Sequence, residues 1–112
     1  MVINQYQRKF HFSGYDSVGC YNDTSDRAIP SLDGMDPILD GGFGVRKNAI
    51  AKCAVAAIRA GYSMFGVQAG GWCASSASAP QTFDKYGESN DCAADGEGGP
   101  WANHVYYIKG TT

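Results

Sequence analysis

The chain of 112 residues has few leucines, few charged side chains and no long hydrophobic run. Leucine occurs only at Leu32 and Leu39, which argues against an all-helical bundle. Charged residues make up 18% and hydrophobic residues 44%, so the composition suits neither a disordered tail nor a coiled coil. No apolar run approaches the roughly 20 residues that a membrane span requires. The sequence therefore predicts a single globular domain over residues 1–112 without a membrane span.

Basic residues are not in excess, and the motifs of common catalytic sites are absent. Lys+Arg number 9 against Asp+Glu 11, a net charge of −2, so no basic stripe is available for nucleic acid. The sequence has two histidines and neither a G-x-S-x-G elbow nor an H-E-x-x-H helix. It therefore predicts a protein that is not an enzyme, with a small hydrolase as a minor alternative.

Two groups of carboxylates raise the question of a metal ion. One is at Asp33, Asp36 and Asp40, and the other at Asp91, Asp95 and Glu97. Neither has the spacing of an EF-hand loop, and Ca²⁺ requires six or more oxygen ligands around one point. We therefore predict no metal and no cofactor, with Ca²⁺ the one ion left open.

Four cysteines are spread along the chain, at Cys20, Cys53, Cys73 and Cys92, and none belongs to a C-x-x-C pair. In so short a chain this pattern favours two disulfides and a secreted, extracellular protein over a cytosolic protein with free thiols. No signal peptide is visible at the N-terminus, and the sequence leaves open whether one has been removed. Residues 22–24 form a glycosylation sequon, which has meaning only in a secreted chain.

Glycine and aromatic residues are frequent, which is typical of a turn-rich fold built on strands. Apolar residues from Ile50 to Ile58 recur at i, i+3, i+4, i+7 and i+8, and predict one helix over residues 48–60, with Asn48 as N-cap and Gly61 after its end. Alternation predicts one or two strands in residues 1–21 and further strands over 62–69 and 104–108. Residues 22–44 and 74–101 are predicted to be long polar loops, with a short strand near 27–29.

Several motifs together resemble a WSC domain, a module related to PAN/apple domains. They are GCYND at residues 19–23 followed by RAI at 27–29, the helix cysteine Cys53, GYSMFGVQ at 61–68, GWC at 71–73 and DC at 91–92. The likeness covers about residues 15–108, and the tail GGPWANHVY at 98–106 is similar to invertebrate variants of the module. The chain departs from the pattern at Ala57 and Gly71, where the family usually has cysteines, and it lacks the final cysteine pair.

The resemblance implies an α+β fold in which a small antiparallel β-sheet packs against one α-helix. It also implies disulfides between Cys20 and Cys92 and between Cys53 and Cys73. WSC modules are extracellular and are regarded as carbohydrate-binding, so the resemblance implies a lectin whose partners are glycans. Because one weak site gains avidity by oligomerising, this function favours more than one site or subunit.

The polar segment and the strands beside it contain the residue types that bind sugars. An aromatic ring packs against the C–H face of a sugar, and planar polar side chains bond its hydroxyls. The candidate sugar-binding residues are Gln68, Trp72, Asp84, Lys85, Tyr86, Asn90, Trp101, Asn103 and His104. Asp23 and Arg27 are predicted to be structural, with Asp23 capping its turn and pairing with Arg27.

The surface formed by the candidate sugar-binding residues also allows an alternative function. The aromatic side chains that suit a sugar also suit a protein interface, so the alternative is an extracellular protein-binding or adhesion module.

Overall fold

The sheet consists of four antiparallel strands in the order β1-β4-β2-β3. The computed structural model describes residues 11–111, with side chains described for 13–110. The strands are β1 (His11–Asn22), β2 (Met64–Gln68), β3 (Trp72–Ser75) and β4 (Ala102–Thr111). The α+β prediction is therefore confirmed, and the part of the predicted N-terminal strands before residue 11 lies outside the described residues.

The main helix, α1 (Ala49–Ala60), matches the helix predicted from the apolar stripe. Asn48 occupies the N-cap position in a left-handed conformation, φ 53°, and its side chain makes no capping hydrogen bond. Gly61 ends the helix with φ 83°, a conformation that costs little without a Cβ. The alanines of the buried face let α1 approach the sheet closely.

Both faces of the sheet are covered, and this is why every residue of β2 is buried. Phe65 and Val67 face α1, in one hydrophobic cluster with Cys73 and Tyr106. Met64 faces the other way, in a second cluster with Ile29, Ala74, Ala79 and Val105. The alternation in residues 62–69 predicts Phe65 and Val67 on one side of the strand and Met64 on the other, and this is confirmed.

Two disulfides cross-link the fold. Cys20 of β1 is bonded to Cys92, 72 residues further along the chain. Cys53 of α1 is bonded to Cys73 of β3, a separation of 20 residues. Both pairings implied by the resemblance are confirmed.

The polar segments contain more regular structure than their composition predicted. Strand β3 extends two residues into the predicted loop 74–101, and a short helix, α2 (Ala79–Thr82), follows within that loop. No strand forms at 27–29 in the described structure; instead Ser31 makes an isolated bridge to Ala74. The sequence did not predict strand β3, because four residues that include the small Ala74 and Ser75 show little alternation of apolar and polar side chains.

Candidate functional site

Two chain reversals meet at one end of the sheet. Residues 69–71 connect β2 to β3, and residues 98–101 lead into β4. Gly98 packs so closely against β2 that a Cβ there would overlap the carbonyl oxygen of Val67. Glycine at this position therefore brings the segment before β4 against the β2–β3 turn.

Trp101 projects from this junction in an unusual backbone conformation. Its φ is 52°, in the left-handed region that bulky residues rarely occupy, and 52% of the residue is exposed. The backbone is held there by a hydrogen bond, 2.9 Å, from the N–H of Asp23 to the carbonyl of Trp101. Strained residues of this kind cluster at functional sites, where the surrounding structure maintains them.

Arg27 lies between two tryptophans. Its guanidinium carbon is 4.3 Å from the ring centroid of Trp72 and 4.6 Å from that of Trp101. Cation–π contacts of this length orient all three side chains. Each of the two contacts contributes about 0.5–2 kcal/mol to the stability of this arrangement. Two indoles that are far apart in the sequence are thus fixed relative to each other by one arginine.

Asp23 fixes Arg27 from the protein interior. Its carboxylate is fully buried and accepts hydrogen bonds from Arg27 Nη1 at 2.9 Å, from Gln68 Nε2 at 3.0 Å and from the N–H of Ala28 at 2.9 Å. Burial raises the pKa of Asp23, but these hydrogen bonds outweigh burial, so the pKa lies below its ordinary value. The predicted cap and ion pair are therefore both present.

This network predicts a specific loss of stability in acid. Because folding lowers the pKa of Asp23, the ionised carboxylate stabilises the fold fully above its unfolded pKa of about 3.9, and this contribution is lost as pH falls through the folded pKa. Asp23→Asn should lower the free energy of unfolding by about 1–3 kcal/mol at pH 7. The difference in free energy of unfolding between Asp23→Asn and the parent protein should become smaller towards pH 2. Urea unfolding at each pH measures this difference.

Asp84→Asn is the matched control, because Asp84 is an exposed carboxylate whose side chain makes no hydrogen bond within the described residues. At pH 7 its free energy of unfolding should lie within about 0.5 kcal/mol of that of the parent protein, as is usual for exposed substitutions. A difference for Asp23→Asn that does not change between pH 7 and pH 2 would contradict the prediction.

The tryptophans and Arg27 border an open cavity of about 340 Å³. This volume is near the lower end of the range of ligand pockets, about 300–1,000 Å³. The lining is mainly apolar with one cation and one amide, and consists of Arg27, Phe43, Gln68, Ala69, Trp72, Pro100 and Trp101. Such a cavity offers aromatic faces together with a few oriented hydrogen-bond donors.

Three of the nine predicted sugar-binding residues line this cavity: Gln68, Trp72 and Trp101. Asn103 is adjacent but fully buried, and its Oδ1 accepts a hydrogen bond from Gln68 Nε2 at 3.2 Å. Asn103 therefore acts on the cavity through Gln68 rather than by lining it.

The turn after α2 carries four more of the predicted residues, and none of them lines the cavity. Tyr86 donates a hydrogen bond to the carbonyl of Asp26 at 2.6 Å, and Lys85 forms an ion pair with Asp26 at 3.4 Å. Asp84 and Asn90 are exposed. The contacts of Lys85 and Tyr86 attach this turn to the loop that carries Arg27.

His104 lies on the opposite face of the sheet, towards α1. Its ring stacks on Tyr106 with centroids 4.7 Å apart, and its Nε2 is hydrogen-bonded to Ser17 Oγ at 2.7 Å. Burial lowers the pKa of His104 below its ordinary value, and a smaller effect of Asp95 opposes this. His104 is therefore separated from the cavity by the sheet itself.

Sequence reasoning missed the four other residues that line the cavity, which are Arg27, Phe43, Ala69 and Pro100. Arg27 was expected only as the partner of Asp23, and Phe43 lies in the segment expected to be a loop. Nothing in the sequence places either residue beside Trp72 or Trp101, because the contacts span 45 residues or more for Arg27.

The sequon at residues 22–24 is constrained in the folded chain. Asn22 Nδ2, the atom that would carry a glycan, donates to the carbonyl of Glu88 at 2.9 Å. The middle residue of the sequon, Asp23, is buried in the network described above. The folded structure thus uses this segment to position Arg27.

Two further properties bear on the chemistry of the site. Within residues 11–111, no group of three or more His, Cys, Asp or Glu side chains is placed to hold a metal ion. Over the same residues, no helix has the length and apolar character needed to cross a membrane.

The fold and the cavity define a small, disulfide-bonded α+β protein with an aromatic, arginine-containing site. Comparison of the chain with protein-family models, with curated proteins and with solved structures finds no match.

Proposed function

We propose that the protein is a lectin, which binds glycans at the cavity bordered by Arg27, Trp72 and Trp101 and catalyses no reaction. The observation that carries this proposal is the pair of indoles fixed by one arginine, with Trp101 half exposed at a strained position. Such rigid aromatic surfaces bind ligands without a large cost of ordering side chains.

The chemistry of the lining suits a sugar. The exposed ring of Trp101 offers an apolar face for sugar C–H groups, while Arg27 offers N–H donors for hydroxyl oxygens. Both N–H groups of Gln68 are donated to Asp23 and Asn103, which leaves its carbonyl oxygen as an acceptor. A cavity of about 340 Å³ accommodates a small part of a glycan, and its openness to solvent leaves room for the rest of the chain to extend outwards.

The proposal extends to family and location. We infer a WSC-like extracellular module, and the support is the disulfide pattern, because Cys20–Cys92 and Cys53–Cys73 are the two pairings that the resemblance implies. Two disulfides in a small domain are typical of secreted proteins. Assembly into an oligomer would raise avidity for multivalent glycans.

A second candidate function is supported by exposed apolar side chains near the cavity. Phe43 is 41% exposed, Val45 of the same turn 83% and Trp101 52%. Exposed aromatic and aliphatic side chains also occur at protein interfaces. An extracellular adhesion module would use this surface to bind a protein partner, and free sugar would not displace that partner.

A glycan array with the labelled protein, run with and without EDTA, is the direct test of the proposal. Hits that share one terminal sugar are expected. Loss of those hits in EDTA, with recovery on adding Ca²⁺ alone, would identify Ca²⁺ as a cofactor. An array without hits, from protein shown to be folded and oxidised, would reject the lectin and favour the adhesion module.

Trp101→Ala is expected to weaken binding of the best array ligand by tenfold to a hundredfold, since loss of a central aromatic contact costs about 2 kcal/mol or more. Isothermal titration calorimetry measures the affinity. Trp101→Tyr should retain most of it, because an aromatic face remains.

Tyr107→Ala is the matched control, because Tyr107 is an aromatic residue, 44% exposed, that does not line the cavity. Asp84→Ala tests whether the turn after α2 belongs to the site. Equal affinity for Trp101→Ala and the parent protein would remove the cavity from the proposal.

A further inference from the structure

Arg27 has hydrogen-bond donors that the described protein does not use. A guanidinium carries five N–H donors in a planar fork. Within residues 11–111, the side chain of Arg27 makes one hydrogen bond, from Nη1 to Asp23. The side chain is 34% exposed and lines the cavity, so the remaining N–H groups are accessible to a ligand there.

The two indoles fix the orientation of these donors. Trp72 and Trp101 flank the guanidinium carbon, and Asp23 holds one of its nitrogens from the interior. A cation restrained on three sides loses little conformational freedom when it binds a ligand, so its free N–H groups form a preorganised donor set. A planar donor set of this kind matches the two oxygens of a carboxylate.

The charged group that faces the cavity is a cation. No acidic side chain lines it, and Arg27 is the one charged residue among the lining residues described. Asp23 balances Arg27, but its carboxylate is fully buried and accepts three hydrogen bonds from the protein. Asp26, the next residue to Arg27, is engaged by Lys85 and Tyr86.

We propose that the ligand of this cavity is an acidic saccharide, in which a carboxylate of the sugar accepts hydrogen bonds from the free N–H groups of Arg27 while the sugar ring packs against Trp101. The inference rests on the proposed lectin function and names its ligand class. A sulfate ester shares the acceptor chemistry, because two of its oxygens can also accept from a guanidinium fork, and the experiment below distinguishes the two groups.

The test is an array of matched glycan pairs, in which each acidic glycan stands beside its neutral counterpart. The pairs are sialylated and asialo glycans, glucuronate- and glucose-terminated glycans, and sulfated and unsulfated glycans. Carboxylated members are expected to bind at least tenfold more tightly than their neutral counterparts, because charge-assisted hydrogen bonds are stronger than hydrogen bonds between neutral groups. Raising the salt concentration should reduce this preference.

Arg27→Lys separates the planar fork from the charge and retains a cation for Asp23, so the protein should still fold. For the best carboxylated pair, calorimetry should show that the ratio of carboxylated to neutral affinity falls by tenfold or more; a loss of affinity common to both members cancels in this ratio. Lys109→Met removes an exposed cation that pairs with Asp16 and does not line the cavity, and it should leave the preference unchanged.

The outcomes distinguish the two proposals. Equal affinity for the neutral and carboxylated members of each pair would overturn the proposal of an acidic ligand. It would not contradict the proposed lectin function. A preference for sulfated glycans alone would replace the carboxylate by a sulfate and overturn the inference as stated. An array without binding to either member of any pair would overturn both proposals.

Discussion

Replacing Arg46 with methionine is expected to lower the free energy of unfolding by about 3–5 kcal/mol, the cost of removing one partner from a buried ion pair. The side chain of Arg46 is 1% exposed, and its Nη1 lies 3.0 Å from Asp33 Oδ1. The same guanidinium donates to the carbonyls of Gly71, at 2.6 Å, and of Leu39. Methionine would leave these acceptors buried without a donor.

The effect should extend to the cavity. Arg46 joins the β2–β3 turn, through Gly71, to the short helical turn Phe43–Val45. Phe43 lines the cavity, and its carbonyl accepts a hydrogen bond from the N–H of Arg46 at 3.3 Å. Arg46→Met is therefore expected to weaken glycan binding as well as the fold, even though Arg46 itself does not line the site.

Arg59→Met is the matched control for stability. Arg59 also pairs with an aspartate, Asp36, at 2.9 Å, but its side chain is 57% exposed. Exposed pairs contribute about 0–1 kcal/mol, so this variant should unfold within about 1 kcal/mol of the parent protein. Chemical denaturation of the three proteins at pH 7 measures the difference. Equal losses for the two variants would contradict the structural role assigned to Arg46.

Removal of the Cys20–Cys92 disulfide by Cys20→Ala and Cys92→Ala together is expected to cost about 4 kcal/mol, because the bond closes a long loop in the unfolded chain. The cysteines are 72 residues apart, against 20 for Cys53 and Cys73. A total stability of about 5–15 kcal/mol is typical of native domains, so this loss is a large fraction. Circular dichroism with guanidinium chloride measures both the stability and its dependence on denaturant.

The denaturant dependence identifies the mechanism of this loss. An unfolded chain without the cross-link is more expanded and exposes more surface, so the m-value should rise as the stability falls. The contrary result is a double variant that loses less than about 1 kcal/mol with an unchanged m-value. In that case hydrogen bonds alone would hold the segment around Cys92 against β1. One of them is the bond from the N–H of Ser89 to the carbonyl of Cys20.

Local patterns in the sequence predicted the elements that local forces form. The stripe from Ile50 to Ile58 placed α1, and Gly61 marked its end, because helix periodicity and left-handed termination depend on neighbouring residues. The alternation of Phe65 and Val67 with Met64 assigned the two faces of β2. Strand β3 and helix α2 were missed, since four-residue elements contain too little pattern to distinguish them from a polar loop.

The candidate site was predicted only in part, because local sequence patterns do not report contacts between distant residues. Gln68, Trp72 and Trp101 were proposed because their residue types suit a sugar, and the structure brings these three together. Their arrangement depends on Gly98, which brings the segment before β4 against Val67. No spacing in the sequence reports such a contact.

By itself the sequence determined the helix, the faces of β2 and the presence of cysteines for two cross-links, because residue type and short-range periodicity specify these features. The α+β fold class was implied by the resemblance to WSC domains. Only the tertiary structure decided that Arg27 lies between Trp72 and Trp101, and that His104 lies on the far side of the sheet. Arg27 is 45 and 74 residues away from those tryptophans along the chain. Their meeting is decided by strand order, by the buried carboxylate of Asp23 and by the close approach at Gly98, which are properties of the folded chain.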